Sequence, residues 1–257
     1  MSDPDAQARI AALGQFVRHR DPSQLWFQIA EIAGAQTYLR HGVHLGPGDV
    51  VLDVGANVGV AAAFFITQCG VRLVHSLEPV APVFEMLEET VKDLPGCVPH
   101  RLGMGAAPGA VPITYYPDAA AMSGLYADPA RDRALVRTAL LNAGLTPEEA
   151  ELRLEGQWES ETLTCELTTV SAFLAKEHLD RVDLLKIDVE RAELDVLAGV
   201  ELRDWPKIGQ VAVEIHDEQG RCAQIEAMLT ELGFRVATDQ DAAMAGTSIR
   251  MLYAVRA

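Results

Sequence analysis

Basic residues are scarce in this chain of 257 residues. Lys and Arg total 21 against 37 Asp and Glu, which gives a formal net charge of −16 at pH 7. A surface with this excess of negative charge repels phosphate backbones and anionic membrane surfaces. The charge balance therefore argues against nucleic acids and membranes as partners.

Cysteine is also scarce, and an apolar run of membrane-spanning length is missing from the sequence. The four cysteines form no C-x-x-C pair and lie too far apart for a disulfide framework in a chain of this size. The first residues, MSDPDAQARI, are acidic where a signal peptide is basic. We therefore expect a soluble, cytoplasmic protein with reduced thiols.

Short apolar runs alternate with helical patterns along most of the chain. The runs typical of buried parallel strands are VVLDV, RLVHSLE, VDLLKID and QVAVEIHD, and a helical pattern follows each of them. Repeated βα units of this kind predict a doubly wound α/β fold with a mostly parallel sheet. The last two runs, FRVATD and IRMLYAVRA, are too close together for a crossover helix, so we expect the last strand to be reversed.

The length and pattern predict a single domain over residues 1–257 with two helical additions. Residues 1–45 predict an N-terminal helical cap, and residues 117–161 interrupt the βα alternation with two further helices. Thr146 and Glu149 have the spacing of a capping box at the start of the second of these helices. Insertions on α/β scaffolds often cover a ligand crevice, so a lid and a plain surface excursion both remain open.

The stretch DVGANVG, from Asp53 to Gly59, joins a predicted strand to a predicted helix. Gly55 and Gly59, with Ala56 and Asn57 between them, suit a tight turn that lets a ligand approach the main chain. Asp53 would repel a pyrophosphate, but it would accept hydrogen bonds from an ammonium group or from a water molecule beside it. The turn therefore predicts a cofactor with a positive charge, and a tight turn without a ligand is the alternative.

A second acidic residue follows the next predicted strand. The motif SLEP places Glu78 and Pro79 at the strand end from which a carboxylate can bind both hydroxyls of a ribose. A glycine turn combined with a ribose-binding acid fits an adenosine attached to a cationic amino acid. This description matches S-adenosylmethionine.

Four motifs together resemble the FkbM-type family of S-adenosylmethionine-dependent methyltransferases: VVLDVGANVG, SLEP, VDLLKIDVERAELDVLAGV and QVAVEIHD. The resemblance runs from about Tyr38 to the C-terminus. It implies a Class I methyltransferase fold, which is Rossmann-like with a seven-stranded sheet, and O-methylation of a small molecule in natural-product or sugar tailoring. It also implies that Asp53, Gly55, Asn57 and Glu78 contact the cofactor.

Methylation of a hydroxyl requires that its proton leave through a general base or through a metal. The strand ends LLKIDVE and VAVEIHD supply Asp188, Glu214 and His216 as catalytic candidates, because such strand ends meet beside the cofactor. We favour His216 as the base, since an imidazole titrates near neutral pH. The alternative is a histidine that only forms a hydrogen bond with a neighbour.

The same strand ends offer a metal site as an alternative. Asp188, Glu214 and Asp217 would gather a magnesium ion, because hard cations take carboxylate oxygens. A structural ion-pair network of these acids with Lys186 and Arg191 is the interpretation that we favour over the metal.

The acceptor site has weaker signals in the sequence. Arg191 stands where the family pattern has glycine, and together with Glu190 it is a candidate for contact with the acceptor. Trp26 and Tyr126 are aromatic candidates for the acceptor wall, and Ser123 is a candidate for contact with the cofactor. We expect the acceptor to be a small molecule, either free or carrier-bound.

Two other functions remain open from the sequence. A cofactor-binding scaffold without catalysis would bind S-adenosylmethionine and transfer nothing. An NAD-dependent dehydrogenase would place a pyrophosphate on the turn, from which the G-x-x-x-G spacing and the preceding acid depart.

Overall fold

The computed structural model describes residues 4–17 and 22–256, with side chains for residues 4–17 and 25–256. The predicted cap of residues 1–45 therefore lies partly outside the described residues. The strands in chain order are β1 Val50–Val54, β2 Leu73–Leu77, β3 Cys97–His100, β4 Gly103–Met104, β5 Gly109–Tyr115, β6 Glu161–Thr168, β7 Leu184–Ile187, β8 Gln210–His216, β9 Phe234–Asp239 and β10 Ile249–Arg256. The α-helices are α1 Pro4–Leu13, α2 Pro22–Ile29, α3 Val60–Phe64, α4 Ala81–Val91, α5 Pro129–Asn142, α6 Pro147–Leu154, α7 Val170–Lys176, α8 Glu193–Ala198 and α9 Arg221–Glu231.

The central sheet contains seven of these strands in the order β3-β2-β1-β7-β8-β10-β9. β10 runs antiparallel to β8 and β9, and the other neighbouring pairs are parallel. The predicted α/β fold, with a mostly parallel seven-stranded sheet and a reversed last strand, is therefore confirmed. β1 and β7 are buried along their whole length, as expected of strands covered on both faces.

A second sheet, with the strand order β4-β6-β5, is a feature that the sequence patterns do not predict. The segment CVPHRLGMG is divided between β3 in the central sheet and β4 in the second sheet. β5 and β6 pair antiparallel although residues 116–160 separate them. A pair joined by so long a connection lacks the short turn signal by which a hairpin is predicted from sequence.

Helices cover both faces of the central sheet and bury its core. One hydrophobic cluster joins the sheet to α1, α2, α3 and α4, and the other joins it to α7, α8 and α9. Among the described helices, none combines the length and the hydropathy that crossing a bilayer requires.

The insertion between β5 and β6 contains α5 and α6. Asp128 caps α5 by accepting hydrogen bonds from the main-chain N–H groups of Ala130 and Arg131. The capping box predicted at Thr146 and Glu149 is present at the start of α6. Whether the insertion acts as a lid stays a prediction.

Candidate active site

A cavity of about 860 Å³ opens at the carboxyl ends of β1, β2, β7 and β8. Because ligands of open α/β sheets bind at this edge, the cavity is the candidate active site. The strand order places the residues after β1 and β2 at one end, here called the cofactor end: Gly55, Ala56, Asn57, Glu78 and Pro79. Residues after β7, along β8 and following α2 form the other end, here called the acceptor end: Glu31, Asp188, Glu190, Glu214 and His216.

The main-chain N–H groups of the glycine turn at the cofactor end are already hydrogen-bonded within the protein. All five main-chain N–H groups from residue 55 to residue 59 donate to acceptors within the protein: Gly55 and Ala56 to Leu77 O at 3.1 and 2.9 Å, Asn57 to Glu78 Oε2 at 3.0 Å, Val58 to Asn57 Oδ1 at 2.7 Å, and Gly59 to Ala56 O at 2.9 Å. A pyrophosphate bound by such a turn needs those N–H groups. The turn is therefore unsuited to a dinucleotide.

The two glycines of the turn are required by neighbouring protein atoms. Gly55 has φ +76°, and a Cβ atom there would lie 1.7 Å from the carbonyl oxygen of Asp188. Gly59 has φ +90°, and a Cβ atom there would lie 2.8 Å from Leu87 Cδ1 on α4. Gly55 also lines the cavity, whereas Gly59 does not, so the predicted cofactor contact by Gly59 is replaced by a packing role.

Asp53 lies behind the turn, outside the wall of the cavity. It is completely buried, and its Oδ1 lies 2.9 Å from Lys186 Nζ. Lys186 also donates a hydrogen bond of 2.6 Å to Gly55 O and lines the cavity. Burial raises the pKa of Asp53, and the Lys186 ammonium opposes the rise. The predicted contact between Asp53 and a cationic cofactor is thus corrected, because Lys186 neutralises this carboxylate.

Glu78 occupies the position predicted for a ribose-binding acid. Its carboxylate lines the cavity and accepts hydrogen bonds from Asn57 N at 3.0 Å and Val80 N at 2.8 Å. Burial raises the pKa of Glu78 to about 7, although these two donors oppose the rise. Two main-chain donors leave further lone pairs on the carboxylate, so it can also accept hydrogen bonds from ligand hydroxyls.

His216 and Glu190 meet at the acceptor end. His216 Nε2 lies 2.9 Å from Glu190 Oε2, and the imidazole is 1% exposed. Burial lowers the pKa of His216, but the carboxylates of Glu190 and Glu193 outweigh burial, and the pKa is raised. Glu190 and Arg191 have φ values of +50° and +74°, a left-handed conformation that is strained for side-chain-bearing residues and clusters at functional sites.

Glu193 joins the segment after β7 to the end of β8, a role that sequence reasoning missed. Its Oε1 accepts hydrogen bonds from Arg191 N at 3.1 Å and His216 N at 3.2 Å. Its Oε2 lies 3.0 Å from Arg221 Nη1. Since Glu193 is fully buried, it fixes the turn after β7 against the end of β8.

Further carboxylates crowd the acceptor end. Asp188 accepts a hydrogen bond of 2.7 Å from Tyr38 Oη and lies 3.8 Å from Lys186 Nζ. Desolvation and the nearby Asp188 raise the pKa of Glu31 to about 7, and they raise that of Glu214 well above its ordinary value. Glu31, which sequence reasoning missed, belongs to the π-helical segment Ala30–Gly34 that continues α2. This end of the cavity therefore favours a cation.

Besides Asp53 and Gly59, three further predicted residues lie outside the cavity wall. Arg191 is buried in an ion pair with Asp132 of α5, with Nη2 and Oδ1 2.7 Å apart, and so anchors the insertion. Tyr126 is 52% exposed and donates a hydrogen bond to Asp195. Asp217 accepts a hydrogen bond from the main-chain N–H of Cys222 and pairs with Arg250. The structure therefore does not assemble the alternative magnesium site of Asp188, Glu214 and Asp217.

The remaining candidates line the cavity. Trp26 contributes to the wall although it is 60% exposed. Ser123 also lines it and accepts a hydrogen bond of 3.1 Å from Tyr116 N. Of the favoured ion-pair network, the structure contains only the contact of Lys186 with Asp188 at 3.8 Å among the described residues. Lys186 and Arg191 have closer partners in Asp53 and Asp132, which the prediction did not include, and Glu190 and Glu214 lie in the cavity wall.

The sheet order, the reversed last strand and the cavity at the glycine turn define a Class I methyltransferase fold. The crystal structure of methyltransferase FkbM from Methylobacillus flagellatus KT shares this fold, with a TM-score of 0.52 and 13% identity, over 96% of this chain and 58% of that one. The chain belongs to the FkbM methyltransferase family, because the model described as Methyltransferase FkbM domain matches residues 53–236. The family predicted from the four sequence motifs is confirmed.

Two relatives illustrate the family. The chain is 38% identical over 251 residues to 31-O-demethyl-FK506 methyltransferase FkbM of Streptomyces tacrolimicus, which covers 95% of this chain and 94% of the relative. It is 34% identical over 240 residues to AMB antimetabolite synthetase AmbE of Pseudomonas aeruginosa, which covers 88% of this chain and 11% of that relative.

Proposed function

We propose that the protein is an S-adenosylmethionine-dependent methyltransferase that methylates a hydroxyl group of a small molecule. The observation that carries the proposal is a single cavity with the glycine turn and Glu78 at one end and the Glu190–His216 pair at the other. Family membership supports methyl transfer. The printed name of the Streptomyces tacrolimicus relative, a 31-O-demethyl-FK506 methyltransferase, supports oxygen as the acceptor atom.

The residues at the cofactor end fit this cofactor. Glu78 offers carboxylate lone pairs to the two hydroxyls of a ribose. The N–H groups of the turn are already bonded, so a sulfonium, which needs no such donors, is better suited to it than a pyrophosphate. Glu31 and Asp188, at the acceptor end of the same cavity, supply negative charge for the cationic part of the ligand. When bound, the cofactor would supply an electrophilic methyl group.

The Glu190–His216 pair can accept the proton that leaves the acceptor hydroxyl. Glu190 Oε2 holds one ring nitrogen of His216 at 2.9 Å, and Glu193 fixes the main chain of the same residue. A carboxylate beside an imidazole stabilises the imidazolium that forms when the ring takes a proton. The basic form of His216 grows as pH increases through the pKa of this residue, which is raised, and the rate of methyl transfer should rise with it.

Part of the cavity wall is apolar. Trp26 from α2 and Leu135, Val136 and Leu140 from α5 line it together with Met244. Apolar walls with a few polar groups recognise small organic molecules. We propose an acceptor with a hydroxyl on a largely apolar body, as in natural-product tailoring, either free or carrier-bound.

The test is transfer of a labelled methyl group from S-adenosylmethionine to a panel of sugars, macrocyclic alcohols and carrier-bound hydroxyacyl groups. We expect turnover with at least one apolar alcohol, no turnover in Glu190→Gln, and wild-type turnover in Glu226→Gln, which changes an exposed residue of α9. Cofactor binding without turnover across the panel would favour a non-catalytic scaffold.

A further inference from the structure

We propose that Glu190, Glu214 and His216 bind one divalent transition-metal cation at the acceptor end. The role of the ion rests on the proposed function, but its binding does not. The three side chains are one of two groups of potential metal ligands found among the described residues.

The distances suit a coordination sphere. One ligand atom from each of the three residues lies within 4.8 Å of the other two. The separation of Glu190 Oε2 and His216 Nε2 is 2.9 Å. Two ligands at right angles on a metal with bonds of about 2.1 Å are about 3.0 Å apart.

The contact between these two side chains has the length of a hydrogen bond but not its geometry. Both ring nitrogens of His216 and Glu190 Oε2 are buried, and none of the three atoms has a hydrogen-bond partner among the described residues. His216 is 1% exposed and lines the cavity. Buried polar atoms are nearly always bonded, so His216 Nε2 and Glu190 Oε2, which lie 2.9 Å apart, point to a further ligand that both of them contact.

The surrounding charge favours a dication. Four carboxylates line the acceptor end: Glu31, Asp188, Glu190 and Glu214. The ammonium group of Lys186, which lies 3.8 Å from Asp188 Oδ2, already contacts Asp53 Oδ1 at 2.9 Å and Gly55 O at 2.6 Å. It is therefore shared with groups behind the turn.

The ligand set selects the kind of metal and its role. One imidazole with two carboxylates suits Mn²⁺, Fe²⁺ or Zn²⁺ better than Mg²⁺, which prefers oxygen ligands alone. The ion would bind the acceptor hydroxyl oxygen and lower its pKa. The O–H bond then breaks, the oxygen keeps the electron pair, and the proton passes to bulk water. In this state His216 is a metal ligand, and the ion replaces it as the group that activates the hydroxyl.

The experiment is a titration of chelator-treated protein with Mn²⁺ alone, followed by electron paramagnetic resonance without cofactor or acceptor. We expect one bound ion per chain and affinity at least tenfold weaker in Glu214→Gln and in His216→Gln. The matched control is His100→Gln in the second group, His75, His100 and Glu177, where His75 Nδ1 and His100 Nε2 are 3.0 Å apart. This variant should bind Mn²⁺ like the wild type.

No Mn²⁺ binding by the wild type, unchanged binding in Glu214→Gln, or loss of binding in His100→Gln would overturn the proposal. S-adenosylhomocysteine titrated into each variant reports a folded cofactor end independently of the metal. Mn²⁺ bound with the expected variant pattern in a protein that ignores S-adenosylhomocysteine would sustain the metal site and remove the proposed function.

Discussion

The cofactor end of the cavity is formed mainly by main-chain atoms, whereas the acceptor end is formed by side chains. Main-chain atoms of a single turn, with one carboxylate from Glu78, form the cofactor end. Side chains from three separate parts of the chain form the acceptor end, and most of them are acidic. A main-chain site is fixed by local geometry, whereas a side-chain site depends on packing and on charge balance.

The two ends also differ in what is energetically unfavourable in each of them. At the cofactor end the N–H groups are bonded, and Gly55 has no room for a side chain. At the acceptor end, carboxylates repel one another and Glu190 and Arg191 adopt left-handed main-chain angles. We therefore expect substitutions at the cofactor end to damage folding first and substitutions at the acceptor end to damage chemistry first.

The largest effect is expected from Gly55→Ala. A methyl group there would overlap the carbonyl oxygen of Asp188, because the Cβ position lies 1.7 Å from it. β1 and β7 would have to separate, so we expect a loss of more than about 4 kcal/mol in the free energy of unfolding, or no folded protein. Urea denaturation followed by circular dichroism measures it.

The control for Gly55→Ala is Gly70→Ala. Gly70 also has a positive φ, +71°, but among the described residues other than its two chain neighbours, none has an atom within 4 Å of its Cβ position. This variant isolates the cost of the main-chain angle, about 1 kcal/mol. Equal losses in the two variants would contradict close packing as the reason for Gly55.

Lys186→Met is expected to have the next largest effect. It leaves the fully buried Asp53 without its cation, which costs about 3–5 kcal/mol in the free energy of unfolding. The double variant Asp53→Asn with Lys186→Met should recover part of that loss. Lys92→Met removes an exposed pair with Glu89 and should cost less than about 1 kcal/mol. A Lys186→Met variant as stable as Lys92→Met would contradict the structural role.

One carboxyl at each end of the cavity should make the free energy of unfolding depend on pH. Glu31 and Glu78 each have a pKa of about 7 in the folded protein. A raised pKa means that the folded state binds the proton more tightly than the unfolded state does. The stabilisation by the protonated carboxyl is therefore complete below about pH 4.5 and is lost as pH rises through 7. For Glu78 the loss is roughly 3 kcal/mol.

Denaturation between pH 4.5 and pH 8 measures this slope. We expect Glu31→Gln and Glu78→Gln each to flatten it, while Glu85→Gln, on the exposed side of α4, leaves it unchanged. Stability that rises over this interval in the wild type would show that the two carboxyls ionise at ordinary pH values.

Glu193→Gln should have a smaller effect on stability and a selective effect on chemistry. The amide keeps an oxygen for Arg191 N and His216 N but loses its charge opposite Arg221. We expect about 1–3 kcal/mol of lost stability and at least tenfold slower methyl transfer, with cofactor affinity unchanged. Weaker cofactor binding together with unchanged turnover would contradict its placement at the acceptor end.

The comparison also explains what could be predicted from the sequence. The turn of Gly55, Ala56 and Asn57 and the acid Glu78 lie at strand ends within 24 positions, and each has a local pattern. The periodicity of the strands likewise predicted the central sheet. The second sheet escaped because β5 and β6 pair across the insertion.

Side-chain partners account for the predictions that were wrong. Asp53, Arg191 and Asp217 were placed at the site because their charges suit a ligand, but the protein pairs each of them with its own residues. Glu31 was missed because its approach to the site depends on how the π-helical segment Ala30–Gly34 packs over the sheet. Contacts between distant segments have no local sequence pattern. The partners of the three charged residues and the position of Glu31 therefore could not be predicted from the sequence.

Calorimetric titration with S-adenosylhomocysteine and with NAD⁺ tests most directly the claim that the cofactor end recognises a ribose through Glu78 without pyrophosphate donors. We expect S-adenosylhomocysteine to bind wild type and Glu85→Gln equally, to bind Glu78→Gln at least about tenfold more weakly, and NAD⁺ to give no heat. Absence of heat with S-adenosylhomocysteine, or equal affinity in Glu78→Gln and wild type, would contradict the account.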